Sequence, residues 1–265
     1  MTRPSLHTLT MGESGTRVVF LHGLFGQGRN WTTIGKALAD RHRVLLVDLP
    51  HHGRSPSSER FDYLDVADHV AELVEAQGSE DDPAAVVGHS MGGKVAMLLA
   101  LTHPSLVERL VVADMSPVAY PTARDFVTYT SALQSLDLDA VTRREDADRL
   151  LEPAVPDPTI RGFLLQNLRR HGDSWRWQLN LDVLARGLAE IGGWPEDRLA
   201  GTPPYDGPVL WLAGERSGYV KDEYADAMRR WFPHYRKVTI KGAGHWLHSE
   251  RPDVFTAALR QFLGD

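Results

Sequence analysis

Short apolar runs alternate along the chain with stretches of helical spacing. Six runs rich in apolar and β-branched residues predict buried strands, most of them ending near glycine, proline or a polar residue. These strands are expected at residues 17–21, 43–48, 85–87, 110–114, 208–213 and 236–240. Helical spacing between them predicts helices at 31–39, 63–76, 94–101 and 252–263. The pattern indicates an α/β fold, with a mostly parallel central sheet and helices on both faces.

The alternation stops between residues 114 and 208, where helical spacing continues without strands. Helices are expected there at residues 126–136, 144–151, 160–169 and 181–191. A structureless loop of this length would be unusual in a compact domain. We therefore predict an inserted helical cap over the strand ends, and we call residues 115–207 the cap segment. In this prediction residues 1–114 and 208–265 form the core domain.

Composition narrows the classes of function. The chain has 265 residues and a net charge of −6, which suits one globular domain and argues against a nucleic-acid partner. No apolar run is long enough to span a bilayer, and the first residues lack the apolar stretch of a signal peptide. Cysteine is absent, so disulfides and thiol catalysis are excluded. We expect a cytoplasmic protein without a cofactor, and the sequence leaves its oligomeric state open.

Residues 88–92, Gly-His-Ser-Met-Gly, have the G-x-S-x-G form of a nucleophile elbow. The motif lies between a predicted buried strand and an apolar helix, the context in which such a turn exposes a serine hydroxyl. Glycine is favoured at its two ends because neighbouring backbone comes too close for a Cβ atom. Ser90 is therefore the candidate nucleophile. A plain glycine-rich turn explains the same residues until partners for Ser90 are found.

A serine hydroxyl needs a neighbouring base to act as a nucleophile. Among the 12 histidines, His245 is the best candidate, because glycines precede it in a short loop between a predicted strand and the last helix. His248 is its nearest rival. His51 and His52 suggest a metal pair, but adjacent histidines rarely face one ion and no third ligand is evident. We therefore expect no metal site.

Four motifs together resemble the α/β-hydrolase fold superfamily over nearly the whole chain. They are residues 22–26 (HGLFG), 48–55 (DLPHHGRS), 88–92 (GHSMG) and 242–245 (GAGH). Residues 175–182 and 244–248 are similar to a narrower group, the small bacterial serine esterases related to abhydrolase domain-containing protein eleven. The resemblance implies hydrolysis of short-to-medium acyl esters, and extends to acyl-CoA thioesters.

Three carboxylates are candidates for the acid of a catalytic triad. Many capped hydrolases carry an aspartate just after the strand that follows the cap, but this sequence has Ser217 there. Asp114 ends the strand before the cap segment, where it can reach the far nitrogen of His245, fix its tautomer and stabilise its cation. We therefore favour Asp114, with Glu215 and Asp182 as alternatives.

An acyl-transfer site also needs donors for the oxyanion and walls for the substrate. In this fold the donors are backbone N–H groups of the residue after the nucleophile and of the loop after the first central strand. Met91 and Leu24 occupy these positions, with Phe25 close enough to contribute. The candidate walls of the substrate pocket are aromatic: Phe25, Tyr120, Trp175 and Trp177.

The sequence thus predicts a serine hydrolase in which Ser90 attacks, His245 transfers the proton and Asp114 orients the histidine. Its expected partner is a small-molecule ester or thioester. A carbon–carbon bond hydrolase or a cofactor-free peroxidase on the same scaffold is a second interpretation. A third is a hydrolase-like binding protein without turnover, which the intact serine and histidine disfavour.

Overall fold

A computed structural model of the chain describes residues 3–78, 82–121 and 124–264. Its strands are β1 (Thr8–Met11), β2 (Arg17–Leu21), β3 (Arg43–Val47), β4 (Ala84–His89), β5 (Val107–Ala113), β6 (Leu168–His171), β7 (Ser174–Trp177), β8 (Val209–Gly214) and β9 (Tyr235–Ile240). Seven of them form one sheet in the order β1-β3-β2-β4-β5-β8-β9. All neighbours in it are parallel except β1 and β3. The prediction of a mostly parallel sheet is therefore confirmed.

Helices cover both faces of this sheet. They are α1 (Thr32–Leu38), α2 (Tyr63–Ala76), α3 (Met91–Thr102), α4 (Arg124–Gln134), α5 (Arg144–Leu151), α6 (Pro158–Leu165), α7 (Leu181–Arg186), α8 (Leu188–Gly192), α9 (Ala225–Trp231), α10 (Leu247–Glu250) and α11 (Pro252–Leu263). Successive residues of a strand point to opposite faces. Accordingly, Val19 and Leu21 join the hydrophobic core under α2 and α3, whereas Val18 and Phe20 join the core under α1 and α11.

The cap segment contains α4 to α8 and a two-stranded antiparallel hairpin of β6 and β7. The hairpin corrects the prediction of a helix at residues 160–169, since α6 ends at Leu165 and β6 begins at Leu168. Gly172, at φ +61°, lies in the turn of the hairpin, a backbone conformation that a right-handed helix does not contain. Among the helices described, none has the length and apolar character needed to cross a bilayer.

The parallel strands bring their carboxyl ends to one edge of the sheet, where ligands bind in open α/β folds. Ser90 follows β4 and Asp114 follows β5 at this edge. The loop after β9 carries His245. Three residues that are far apart in sequence are thereby positioned at one place.

Candidate active site

Ser90 lies on a sharp turn between β4 and α3. Its φ of +53° and ψ of −119° are rare for a residue other than glycine. The chain segments here are very close, because a Cβ on Gly88 would lie 2.1 Å from the carbonyl oxygen of Gly92. A Cβ on Gly92 would lie 2.4 Å from the carbonyl oxygen of Leu21. The turn therefore requires both glycines, which explains the spacing of the motif.

Ser90, His245 and Asp114 form a continuous hydrogen-bonded chain. The Nε2 atom of His245 is 3.0 Å from Oγ of Ser90, and its Nδ1 atom is 2.7 Å from Oδ2 of Asp114. A carboxylate accepts but does not donate, so Nδ1 carries the proton and Nε2 is free to accept the serine proton. The Asp114 side chain is fully buried, whereas that of His245 is 14% exposed. This geometry suits activation of a serine by a neighbouring base.

Two further donors hold the Asp114 carboxylate in place. The backbone N–H of Gly214 donates to Oδ1 at 2.9 Å. The hydroxyl of Ser217 donates to Oδ2, the oxygen that also accepts from His245. Ser217, which occupies the position where many capped hydrolases carry the acid, therefore orients the carboxylate of Asp114 at the end of the neighbouring strand β5.

The two alternative carboxylates are bonded elsewhere. Glu215 accepts a hydrogen bond from the backbone N–H of Gly242 at 2.8 Å, and so supports the loop that carries His245. Asp182 accepts from the side-chain amide of Gln134 within the cap segment. Of the three candidates, Asp114 is the one that is bonded to His245.

The rival base, His248, packs beneath the His245 loop. Its ring centroid lies 4.5 Å from that of Trp31 and 4.5 Å from that of His89. Burial lowers the pKa of His248 to about 3, so its ring is uncharged near neutral pH. His89 adds a second support, because its Nε2 atom donates to the carbonyl oxygen of His245 at 2.8 Å. These two rings position the loop, while Ser90 is bonded to His245.

His52 fixes the loop that follows β2. Its Nε2 atom accepts a hydrogen bond from the backbone N–H of Phe25 at 3.2 Å, and its Nδ1 atom donates to the carbonyl oxygen of Pro50. Burial, aided by the nearby His22, lowers the pKa of His52 well below its ordinary value, so the ring is neutral and can accept.

This contact corrects the expectation that Phe25 contributes to the oxyanion site, because its N–H is already used. The backbone N–H groups of Leu24 and Met91 have no acceptor among the residues that the structure describes. Their binding of an oxyanion stays a prediction.

Asn167 connects the cap segment to the same loop, and no motif in the sequence predicts this role. Its buried side-chain amide donates to the carbonyl oxygen of Phe25 at 2.8 Å. Its Oδ1 atom accepts from the side-chain amide of Gln27 at 2.6 Å. The carbonyl of Phe25 is thus held by the cap segment, and its N–H by the core.

Two narrow cavities border Ser90. The first, of about 30 Å³, is lined largely by apolar and aromatic side chains, among them Phe25, Phe126, Phe163 and Trp246. The second, of about 40 Å³, lies among Leu24, Met91, Met115, Tyr120 and Tyr219. On this measure one water molecule needs roughly 10–15 Å³, so each cavity holds only a few small groups.

The four predicted pocket walls separate into two pairs. Phe25 and Tyr120 line the cavities that border Ser90. Trp175 and Trp177 line neither of these cavities, which corrects the prediction for them. Both tryptophans lie on β7. The guanidinium of Arg144 lies 5.7 Å from the Trp175 ring centroid. Trp177 lines a separate groove that arginines also line.

The structure adds two residues, Tyr219 and Lys94, that no motif in the sequence predicts. The Tyr219 ring stacks on that of His245, with centroids 4.3 Å apart. Lys94 is fully buried in α3, and burial lowers its pKa to about 7. Its ammonium donates to carbonyl oxygens at the end of α8, including that of Gly192 at 2.7 Å. Lys94 thus connects the helix after Ser90 to the cap segment.

No group of three or more potential metal ligands occurs within residues 3–78, 82–121 and 124–264. His51 and His52 therefore do not belong to such a group in the part of the chain described. The His52 ring is instead bonded to the loop after β2, as shown above.

Comparison with known proteins identifies the family. A family model of the α/β hydrolase fold matches residues 16–252. The sn-1-specific diacylglycerol lipase ABHD11 of Mus musculus is 40% identical over 252 residues, which cover 93% of this chain and 80% of that protein. Esterase YbfF of Escherichia coli (strain K12) is 32% identical over 253 residues, covering 96% of this chain and 95% of YbfF.

A solved structure agrees with these relatives. A marine microorganism esterase has a TM-score of 0.92 and 34% identity, and the match covers 97% of this chain and 99% of that one. Because these relatives are named as lipases and esterases, the prediction of an ester-hydrolysing enzyme is confirmed, and the peroxidase and carbon–carbon hydrolase interpretations are not favoured. The chain belongs to the α/β-hydrolase fold family and resembles ABHD11 within it.

Proposed function

We propose that this enzyme hydrolyses carboxylic esters and thioesters of short-to-medium acyl groups, with Ser90 as nucleophile, His245 as general base and Asp114 as the orienting acid. The observation that supports the proposal most strongly is the hydrogen-bonded chain from Ser90 Oγ through His245 to Asp114, at the border of two apolar cavities. The esterase class of the relatives fits this chemistry.

The reaction proceeds in two halves. Ser90 Oγ attacks the acyl carbon while its proton passes to Nε2 of His245, and the imidazolium then protonates the departing alcohol or thiol. In the second half, His245 takes a proton from water, whose oxygen attacks the acyl carbon. The acid leaves as Ser90 recovers its proton. Asp114 stabilises the positive charge on His245 in both halves.

The tetrahedral intermediate carries a negative oxygen that needs fixed donors. We assign this role to the backbone N–H groups of Leu24 and Met91, with His52 and Asn167 holding the loop of Leu24 in position. Such preorganised donors are effective because they do not have to reorient during the reaction, and each is worth about 3 kcal/mol in the transition state.

The shape of the cavities favours small acyl groups. The cavity of about 30 Å³ is bordered by cap-segment side chains such as Phe163, whose ring centroid is 6.2 Å from that of Trp246. A short acyl chain suits a volume of this size, whereas a long chain requires these aromatic side chains to move. We therefore expect activity to fall with chain length.

A chain-length series tests the proposed substrate class. Hydrolysis of p-nitrophenyl esters from acetyl to dodecanoyl, and of acyl-CoA thioesters of matching lengths, is measured with the wild type and with Phe163→Ala. We expect the optimum among the shorter esters in the wild type and a shift to longer chains in the variant. Phe262→Ala, outside both cavities, serves as the control. Best activity on the longest esters, unchanged by Phe163→Ala, would contradict the assignment.

We also propose the cytoplasm as the compartment in which the enzyme works, because a chain without cysteine does not rely on disulfides. Fractionation of cells that express the tagged full chain tests this assignment. Recovery of the enzyme in the membrane or secreted fraction would contradict it.

A further inference from the structure

A groove beside the β6–β7 hairpin is lined by arginines and has a volume of about 680 Å³. Four of its arginines are Arg29, Arg54, Arg169 and Arg176. The groove shares no lining residue with either cavity at Ser90. The proposed catalytic roles do not require it, so its concentration of positive charge needs a separate explanation.

These four guanidinium groups form no ion pair within the described ranges, whereas Arg17, Arg43 and Arg161 each pair with an aspartate. Two of the four bond to neutral groups, Arg29 to the carbonyl oxygen of Gln166 and Arg169 to the side-chain oxygen of Gln178. The groove therefore retains most of its N–H donors for a ligand.

One carboxylate, Asp48, also lines the groove. Its Oδ1 atom accepts from the backbone N–H of Gly28 at 2.7 Å, and its Oδ2 atom accepts from the backbone N–H of Arg54 at 2.9 Å. The ring of His7 also contacts Oδ2 at 2.9 Å. Asp48 thus partly offsets the positive charge, but its oxygens are occupied by loop contacts.

Arg29, Arg54 and Arg169 are close enough to repel one another. Partial burial, followed by the nearby positive charges of Arg144 and Arg54, lowers the pKa of Arg29. The pKa of Arg169 is lowered by burial and then by Arg29, Arg144 and Arg54. Keeping like charges together is unfavourable without a counter-charge, and the chain as a whole carries a net charge of −6. This concentration of positive charge therefore indicates an anionic ligand.

We propose that the groove is a binding site for clustered phosphate groups, with Arg29, Arg54, Arg169 and Arg176 as the residues that bind them. A guanidinium presents paired N–H donors whose geometry matches two phosphate oxygens. Four guanidinium groups can bind more than one phosphate, as in a soluble diphosphate or on an anionic lipid surface. The site does not depend on the role of Ser90.

Calorimetric titration with inorganic diphosphate at low ionic strength tests the site directly. The wild type is compared with Arg169→Gln/Arg176→Gln and with a matched control, Arg60→Gln/Arg236→Gln, which changes two exposed arginines outside the groove. We expect saturable binding that weakens by at least about tenfold in the groove variant, or 1.4 kcal/mol, and changes little in the control. Arg176→Gln alone replaces the double variant if circular dichroism shows that the latter is unfolded.

A vesicle assay identifies the source of the phosphate. The same proteins are sedimented with phosphatidylglycerol–phosphatidylcholine vesicles and with pure phosphatidylcholine vesicles. Binding of diphosphate that depends on the groove arginines supports a soluble ligand, and groove-dependent binding of the anionic vesicles supports a lipid surface. The proposal is overturned if neither probe binds, or if the groove and control variants lose binding equally. None of these outcomes depends on esterase activity.

Discussion

The hydroxyl of Ser217 donates a hydrogen bond to Oδ2 of Asp114, the oxygen that also accepts from Nδ1 of His245. The backbone N–H of Gly214 holds the other oxygen of the same carboxylate. The end of β8 and the loop that follows it thus hold one fully buried carboxylate in an orientation that faces His245. The orientation of the histidine, with Nε2 toward Ser90, follows from these contacts.

The contact between Ser217 and Asp114 predicts unequal losses of kcat when each of the two residues is changed. Asp114→Asn keeps the shape of the side chain but removes the negative charge and favours the wrong tautomer of His245, so kcat should fall by roughly 10⁴-fold. Ser217→Ala removes one of several donors to a carboxylate that remains charged, so kcat should fall by about tenfold or less. Steady-state kinetics on one ester with folded variants measures both.

The controls are Glu215→Gln and Asp182→Asn, the two alternative acids, which should each stay within about tenfold of the wild type. A crippled Glu215→Gln or Asp182→Asn beside a nearly fully active Asp114→Asn would show that Asp114 is not the acid.

A second prediction concerns the contact between Asn167 and Phe25. In Asn167→Asp a carboxylate oxygen replaces the amide that donates to the Phe25 carbonyl, and the two oxygens repel. The loop that carries the Leu24 N–H then loses support from the cap segment. Removing an oxyanion donor outright lowers kcat by about 10²–10³-fold. We therefore expect the loss of support for the Leu24 loop to lower kcat by roughly tenfold, with a smaller change in KM.

Asn180→Asp is the matched control for Asn167→Asp. Asn180 caps α7 by accepting from the backbone N–H of Val183, and aspartate performs the same task. The control should behave as the wild type in kcat and thermal stability. An Asn167→Asp enzyme with unchanged kcat, or with a change in KM alone, would show that the contact does not position the oxyanion loop.

Buried histidines should make the fold sensitive to acid. Burial lowers the pKa of His51 to about 4 and that of His248 to about 3, from an ordinary value of 6.5. Below pH 6.5 the unfolded chain therefore binds more protons than the folded chain. The free energy of unfolding should fall as the pH decreases from 6.5 toward these lower values, with a slope of about 1.4 kcal/mol per pH unit for each histidine.

Urea unfolding of the wild type and His248→Gln, at a series of pH values below 6.5, isolates one histidine. The variant lacks one titrating group, so its free energy of unfolding should change less steeply with pH, by about 1.4 kcal/mol per pH unit. His171→Gln changes an exposed histidine and should leave the slope as in the wild type. Equal slopes for the wild type and His248→Gln would rule out the proposed uptake of a proton by His248 on unfolding.

The central strands could be predicted because they are buried on both faces and are therefore continuous apolar runs. β2, α2 and α11 have the predicted bounds. The edge strand β1 was missed because its four residues are half-buried or exposed. The hairpin has no apolar run to predict it, because β6 and β7 are four residues each and all but Leu168 are half-buried or exposed.

Ser90, His245 and Asp114 could be proposed from sequence because each lies at a strand end or in a glycine-rich loop of recognisable form. Asn167 could not, since its importance comes from a contact with Phe25, 142 positions away. A polar residue that is buried by a distant part of the chain has no local signature. The same reason applies to Lys94, which bonds to Gly192 across 98 positions.

The central claim is that Ser90 forms the acyl-enzyme, and covalent labelling followed by intact-mass and peptide mass spectrometry tests it most directly. A fluorophosphonate reacts with an activated serine, so we expect one adduct per chain, located on Ser90. Ser90→Ala should be neither labelled nor active, while Ser135→Ala, which changes an exposed serine of the cap segment, should label as the wild type does. An adduct on another residue, or an active and fully labelled Ser90→Ala enzyme, would contradict the claim.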